Sequence, residues 1–236
     1  MPGPLGPGAR CTVAGEAAGH IVRVLRLGVG AELVVFDGTG GEYAGRIEAL
    51  RKGEVVVALG ERREGLAESP LRLTLAQGVS RGERMDWVVQ KAVELGAARI
   101  VPVLTERSVV RLDAAQAHTR QRHWQRIAVA ACEQSGRSRV PQVAAPLALE
   151  AFLAALPDGG LRVLPSPHGA EGLEALLPAA REALVLIGPE GGLAESEARA
   201  ALVRGFQPLR LGPRVLRTET AAVAVLALLQ QRFGDL

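Results

Sequence analysis

The sequence predicts an α/β protein in two parts, a small antiparallel β unit followed by a larger parallel sheet covered by helices. Three observations carry this. The first seventy or so residues alternate apolar and polar side chains around glycine turns, as half-buried strands do. From Leu71 onward, strand-length apolar runs alternate with helical periods, which is the pattern of a parallel α/β sheet. Two late strands feed glycine-rich bends, Leu184-Val185-Leu186-Ile187 into Gly188-Pro189-Glu190-Gly191-Gly192, and the strand ending at Leu211 into Gly212-Pro213-Arg214. A run such as Leu184 to Ile187 reads as a strand buried on both faces. Glycines at the carboxyl end of such a strand let a ligand lie against the main chain.

In the first part, His20 to Leu27 reads as a short helix. Ala31 to Phe36 is a strand entering the turn Asp37-Gly38-Thr39-Gly40-Gly41, Glu42 to Leu50 a second strand, and Glu54 to Leu59 a third beyond the turn at Lys52-Gly53. This unit is barrel-like in size. The charged stretch Glu61 to Pro70 contains Gly and Pro and keeps no period, so the boundary is set there, with domains 1–69 and 70–236. In the second part, strands are expected over Leu71 to Ala76, Arg99 to Leu104, Leu161 to Pro165, Ala183 to Gly188 and Pro208 to Gly212. Helices are expected over Glu83 to Leu95, His118 to Cys132, Leu147 to Leu156, Glu171 to Leu177, Glu195 to Arg204 and Thr218 to Arg232. The last helix, Ala221 to Leu229, is apolar almost all round, so it must be buried inside the domain or against another subunit.

Composition narrows the classes. No long uncharged apolar run spans a membrane, and the opening Met-Pro-Gly-Pro-Leu-Gly-Pro-Gly has no basic start or apolar centre of a signal peptide, so a cytoplasmic address is expected. Cys11 and Cys132 are far apart without zinc-like spacing, and the four histidines form no ligand pattern, so neither a disulfide nor a metal is expected. The net charge is only +3, but the stretch from Leu71 to Val140 carries twelve basic residues against half as many acids. A basic zone in a near-neutral chain points to a polyanion. Its clearest segment, His118 to Arg126, leaves Arg120, His123 and Arg126 on the outer side of a helix, suited either to a phosphate backbone or to plain solubility. Trp87 reads as core or rim rather than as a base-stacking residue.

The two glycine bends resemble the signature of the SPOUT superfamily of knotted methyltransferases, and within it the bacterial 16S ribosomal RNA uridine-N3 methyltransferases of the RsmE type. Further stretches similar to that family are His20 to Leu27 (HIVRVLRL), Arg84 to Gly96 (RMDWVVQKAVELG), Thr105 to Leu112 (TERSVVRL) and Glu133 to Arg137 (EQSGR). The resemblance implies an N-terminal PUA-like small β-barrel, a C-terminal SPOUT domain with a deep trefoil knot, and a homodimer. The cofactor it implies is S-adenosyl-L-methionine, held by Leu164, Ile187, Gly188, Gly192, Leu211, Gly212, Val215 and Leu216. The partner it implies is 16S rRNA in the assembled 30S ribosomal subunit, at a uridine of helix 44.

For RNA contact the resemblance points to Arg23 and Arg26, which equally suit a solvated helix face, and the basic helix itself offers Arg120 and Arg126. The family commonly begins with paired arginines and aromatics, where this chain has only Arg10 as an RNA-binding candidate. Methylation at N3 requires loss of the imide proton. Arg137, Arg214 or Arg217 would hold the uracil oxygens, and Glu219 or Glu190 would take the proton. The chain departs from the family after the first bend, where Leu193-Ala194 replace an aromatic and a hydroxyl helix cap, so a looser cap is expected there. A non-catalytic RNA-binding assembly factor, or a related enzyme acting on another RNA, is the alternative. A Rossmann-type enzyme is excluded because no GxGxxG opens the α/β region.

Overall fold

The structure is a computed structural model that describes residues 5–167, 172 and 181–236. The helix expected over Glu171 to Leu177 lies outside the described residues, apart from Gly172. The chain forms two compact units, one reaching to Ala67 and including Gly136–Val140, the other comprising Glu68–Ser135 and Pro141–Leu236.

The first unit is built on β1 (Arg10–Ala14), β2 (Glu32–Phe36), β3 (Gly41–Arg51) and β4 (Glu54–Glu64), paired antiparallel in the order β1-β4-β3-β2. Each strand alternates apolar and polar residues, and the inward set, including Val13, Val35, Tyr43, Ile47, Val55, Val57 and Leu59, makes the core. Among the described residues β1 and β2 stand at the two ends of this order. Ala18 and Ile21 complete the core from the helical segment that follows β1. That segment starts earlier than expected. It is α1 (Gly15–Gly19), which passes into a π-helical turn, His20–Val24, and ends at Arg26 with φ 53°. The expected linker is likewise shorter, since β4 continues through Glu61, Arg62 and Arg63 to Glu64. All four are exposed, so this end of the strand is solvated on both faces and tolerates the charges.

The second unit contains β5 (Arg72–Gly78), β6 (Ala97–Leu104), β7 (Gln142–Val143), β8 (Leu147–Ala148), β9 (Leu161–Pro165), β10 (Glu182–Ile187) and β11 (Gln207–Leu209). They form one all-parallel sheet in the order β11-β9-β10-β5-β6-β7, with β8 also on β6. Helices α4 (Leu149–Ala154) and α5 (Glu195–Val203) pack on the residues Ala76, Val101, Val103, Leu164 and Leu186 through Leu149, Phe152, Leu153 and Ala201. Helix α2 (Glu83–Glu94) packs against both α3 (Ala114–Ser135) and α6 (Thr218–Phe233), and all three reach the sheet.

As its period predicts, α2 buries Met85, Val88, Val89 and Ala92. Its Asp86 accepts hydrogen bonds from Trp124 Nε1 (3.0 Å) and pairs with His123 Nε2 (2.8 Å), so His123 is tied into the α2–α3 contact. Trp87 is at the rim, 42% exposed. Helix α6 buries Ala222, Val225, Leu226 and Leu229, while Leu228 on its other side is 38% exposed. Among the described residues no helix is long and apolar enough to cross a membrane.

Candidate functional site

Because the whole sheet is parallel, the carboxyl ends of its strands share one edge, and the loops leaving that edge are neighbours. Gln77 on β5 lies opposite Ile187 on β10, so Gly78 meets the first glycine bend directly. A Cβ added at Gly78 would stand 2.4 Å from Pro189 N and 2.8 Å from Gly188 C, so only hydrogen fits between these two backbones. The bend then folds on itself through a hydrogen bond from Gly192 N–H to Pro189 O (2.8 Å). Gly192 sits at φ 68° and Gly212 at φ 91°, a region that L side chains rarely adopt, and both have open space where a Cβ would point.

Three side chains from outside the bend, those of Thr218, Arg84 and Arg107, bond to it. Thr218, at the start of α6, donates from Oγ1 to Gly188 O (2.6 Å), and Gln77 Nε2 donates to Thr218 Oγ1 (2.9 Å) and to Gly78 O (3.1 Å). Gln77 is fully buried and Thr218 nearly so. Glu190 Oε1 accepts from Arg81 N–H (3.0 Å) and Arg84 Nη1 (2.9 Å). Arg107 Nη1 donates to Gly191 O (3.2 Å). The helix cap beyond the bend lacks a hydroxyl, as expected, and Glu197 offsets the loss. Its Oε2 accepts from Ala194 N–H (2.8 Å) and its Oε1 from Glu106 N–H (2.8 Å).

Burial pushes the Glu190 carboxyl up, but hydrogen bonds from the Arg81 and Glu190 backbone amides and the adjacent Arg84 guanidinium outweigh it and hold the group below the usual carboxylate range. A depressed folded-state pKa contributes stability that is present above the unfolded value, about 4.3, and is lost as pH falls through the folded one. Glu190→Gln is therefore expected to cost stability chiefly at neutral pH, where the contribution is fully present, and to converge on the parent as pH falls, which flattens the acid limb, as urea melts from pH 3 to pH 7 would show. The same ties make Glu190 a weak proton acceptor, with its role in steadying the loop.

The sheet brings Ile187, Gly188 and Gly192 together with the start of α6, and Leu164 lies on the adjacent strand β9. Leu211 and Leu216 are half-buried, Gly212, Arg214 and Arg217 are exposed, Val215 is 82% exposed, and Glu219 is half-buried in the first turn of α6. Arg137 is buried in the 136–140 segment, which belongs to the other unit. Arg23, Arg26, Arg120 and Arg126 are exposed, whereas Arg10 is paired with Glu48 at 2.5 Å. Sequence reasoning missed Gln77, Thr218 and the tethering arginines. A lone glutamine in the apolar run from Leu71 to Val79 was the available signal.

Glycine bends at the carboxyl edge of a parallel sheet are where α/β enzymes place nucleotide-type cofactors, and this chain carries a small antiparallel unit as a second module. The RNA methyltransferase domain family matches residues 67–230, and the RNA methyltransferase PUA domain family matches residues 13–59. The chain belongs to the ribosomal RNA small subunit methyltransferase E family. The Bacillus subtilis member is 31% identical over 224 residues, covering 92% of this chain and 88% of its own length. Among solved structures, a Legionella pneumophila protein in complex with the cofactor S-adenosylmethionine is 38% identical, with a TM-score of 0.95 over 100% of this chain and 97% of its own. A ribosomal RNA small subunit methyltransferase E from Neisseria gonorrhoeae, bound to S-adenosyl methionine, is 36% identical, with a TM-score of 0.91 over the same shares.

Proposed function

We propose that this protein transfers a methyl group from S-adenosyl-L-methionine to N3 of a uridine in helix 44 of 16S rRNA, in the assembled 30S subunit in the cytoplasm. The reading includes a trefoil-knotted C-terminal domain and a homodimer. The carrying observation is the pair of open, positive-φ glycines, Gly192 and Gly212, at the carboxyl edge of the sheet. A flat nucleoside with a charged sulfonium tail needs backbone donors and acceptors and apolar walls. Approachable glycine backbone and the side chains Leu164, Ile187, Leu211 and Leu216 supply them. Val215, 82% exposed, and Leu228 on the outer side of α6 give the second copy an apolar surface to cover.

The cofactor supplies an electrophilic methyl on a sulfonium. The chain's task is to orient the uracil and to take its N3 proton. Arg217 and Arg214, next to the second bend, hold the uracil oxygens as negative charge develops. Glu219, half-buried in the first turn of α6 and away from the Arg81 and Arg84 ties that hold Glu190, takes the proton. Arg137 is the third arginine candidate. The test is incubation with methyl-labelled S-adenosylmethionine and, separately, unmodified 30S subunits, naked 16S rRNA and bulk tRNA, with mass spectrometry of the labelled nucleoside. Label as 3-methyluridine in 30S is expected, and label in tRNA or on a ribose would move the reaction elsewhere.

RNA is held by Arg23 and Arg26 in the PUA unit and by Arg120 and Arg126 on α3. Replacing Arg120 and Arg126 together by Ala is expected to weaken RNA binding and to reduce the slope of log affinity against log salt by about 0.7 to 0.9 for each lost phosphate contact. A salt titration of filter binding checks this, with cofactor affinity unchanged.

A further inference from the structure

We infer that the cavity at the carboxyl end of β6 is a nucleobase subsite for the RNA substrate, an assignment that rests on the RNA methyltransferase reading. The cavity holds about 490 Å³, within the range of small-molecule pockets. Leu104, Val110 and Leu112 give it apolar walls, and Thr105, Ser108 and Arg111 give it polar groups. Most of its lining comes from the stretch Thr105 to Leu112, with Leu104, Asp113 and Gln116 at its ends.

Its position suits a substrate. Val103 on β6 lies opposite Gly78 on β5, and Gln77 lies opposite Ile187 on β10, so the mouth is two strands, about 10 Å, from the first glycine bend on the same sheet edge. Arg107 spans that gap by bonding Gly191 O (3.2 Å), which fixes the cavity wall to the bend.

Its chemistry suits a base better than a bare phosphate. The N-terminus of α3 is already closed by a reciprocal pair, Gln116 N–H to Asp113 Oδ1 (2.8 Å) and Asp113 N–H to Gln116 Oε1 (3.1 Å). The helix end is thus spent, and the Asp113 carboxylate on the rim disfavours an anion beside it. Ser108 Oγ, nearly buried, accepts from Thr105 N–H (3.1 Å) and lies 3.0 Å from Thr105 Oγ1. Two hydroxyls that share one bond leave one O–H to donate to a base carbonyl. Arg111 is exposed and forms no ion pair among the described residues, so it is available to the flanking phosphate. An extruded base is packed between apolar side chains and read by hydrogen bonds to its edge, and the cavity offers both, with an exposed arginine beside them.

The experiment measures, on the full-length protein, binding to unmodified 30S subunits and to a 16S rRNA fragment by filter binding, and binding to S-adenosylmethionine by calorimetry. Val110→Trp fills the cavity and Arg111→Ala removes the charge. The expected result is RNA affinity lower by about tenfold for Val110→Trp and severalfold for Arg111→Ala, with cofactor affinity within about twofold of the parent. Unchanged RNA affinity in both variants overturns the subsite. Loss of cofactor affinity in parallel overturns it too, because the cavity would then belong to the cofactor. If Val110→Trp does not fold, Arg111→Ala decides alone. Because the readout is binding, failure to methylate 30S would sink the proposed reaction while leaving this test intact.

Discussion

Gly192→Val is expected to weaken S-adenosylmethionine binding by more than about 100-fold, some 2.8 kcal/mol, while the protein stays folded. Gly192 takes φ 68° in the turn closed by its N–H on Pro189 O, where a β-branched residue is strained by about 1–3 kcal/mol. No atom lies within 4 Å of the added Cβ, so the bulk meets no protein neighbour and projects into the space the site leaves open. The penalty therefore falls on the ligand and on one turn, not on the core. Gly188→Ala is a useful contrast. Its Cβ would come within 2.9 Å of Leu193 N and 3.0 Å of Gly192 C, so it should deform the bend itself and cost stability as well as binding. Calorimetric titration of cofactor beside a thermal melt separates the two. Wild-type affinity in Gly192→Val would remove the first bend from the cofactor site.

What could be read from the sequence was whatever the chain states locally. Apolar runs of strand length gave β9 and β10 nearly to the residue, and Leu161 to Pro165 matches in full. Glycines in sequence gave the two bends, and Gly136 at φ 76° closes α3 as a C-cap should. What could not be read depends on partners far apart in the chain. The 136–140 segment carries no period of its own. It joins the first unit through Gly40 N–H to Ser138 O (3.2 Å) and Val140 N–H to Gly38 O (3.0 Å), contacts that no local pattern announces. The charged end of β4 looked like linker because a solvent-facing strand and a linker have the same composition. The two-residue strands β7 and β8 are too short to show a period at all.

The tie across the site is the sharpest such case, since Gln77 and Thr218 are 141 residues apart and Thr218 and Gly188 are 30. Thr218→Val is nearly isosteric, and it removes two hydrogen bonds at once inside a buried network. Gly188 O loses its donor and Gln77 Nε2 loses an acceptor, in a side chain whose Oε1 already lacks a partner among the described residues. Each group left unsatisfied in the interior costs about 1–3 kcal/mol, so a stability loss of about 2–4 kcal/mol is expected. The location makes the effect more than structural. This hydroxyl joins the end of β10 to the start of α6, and hence the loop that holds Gly192 to the turn that carries Arg217 and Glu219. With the tie cut, the two halves of the proposed cofactor site lose their common register, and KM for S-adenosylmethionine should rise by about tenfold. Thr218→Ser keeps the hydroxyl and should restore most of that KM while retaining a smaller loss of packing stability. Rescue by Ser separates a positioning hydroxyl from a packing methyl. If Ser and Val behave alike in KM, the hydrogen bond to Gly188 does not position the site.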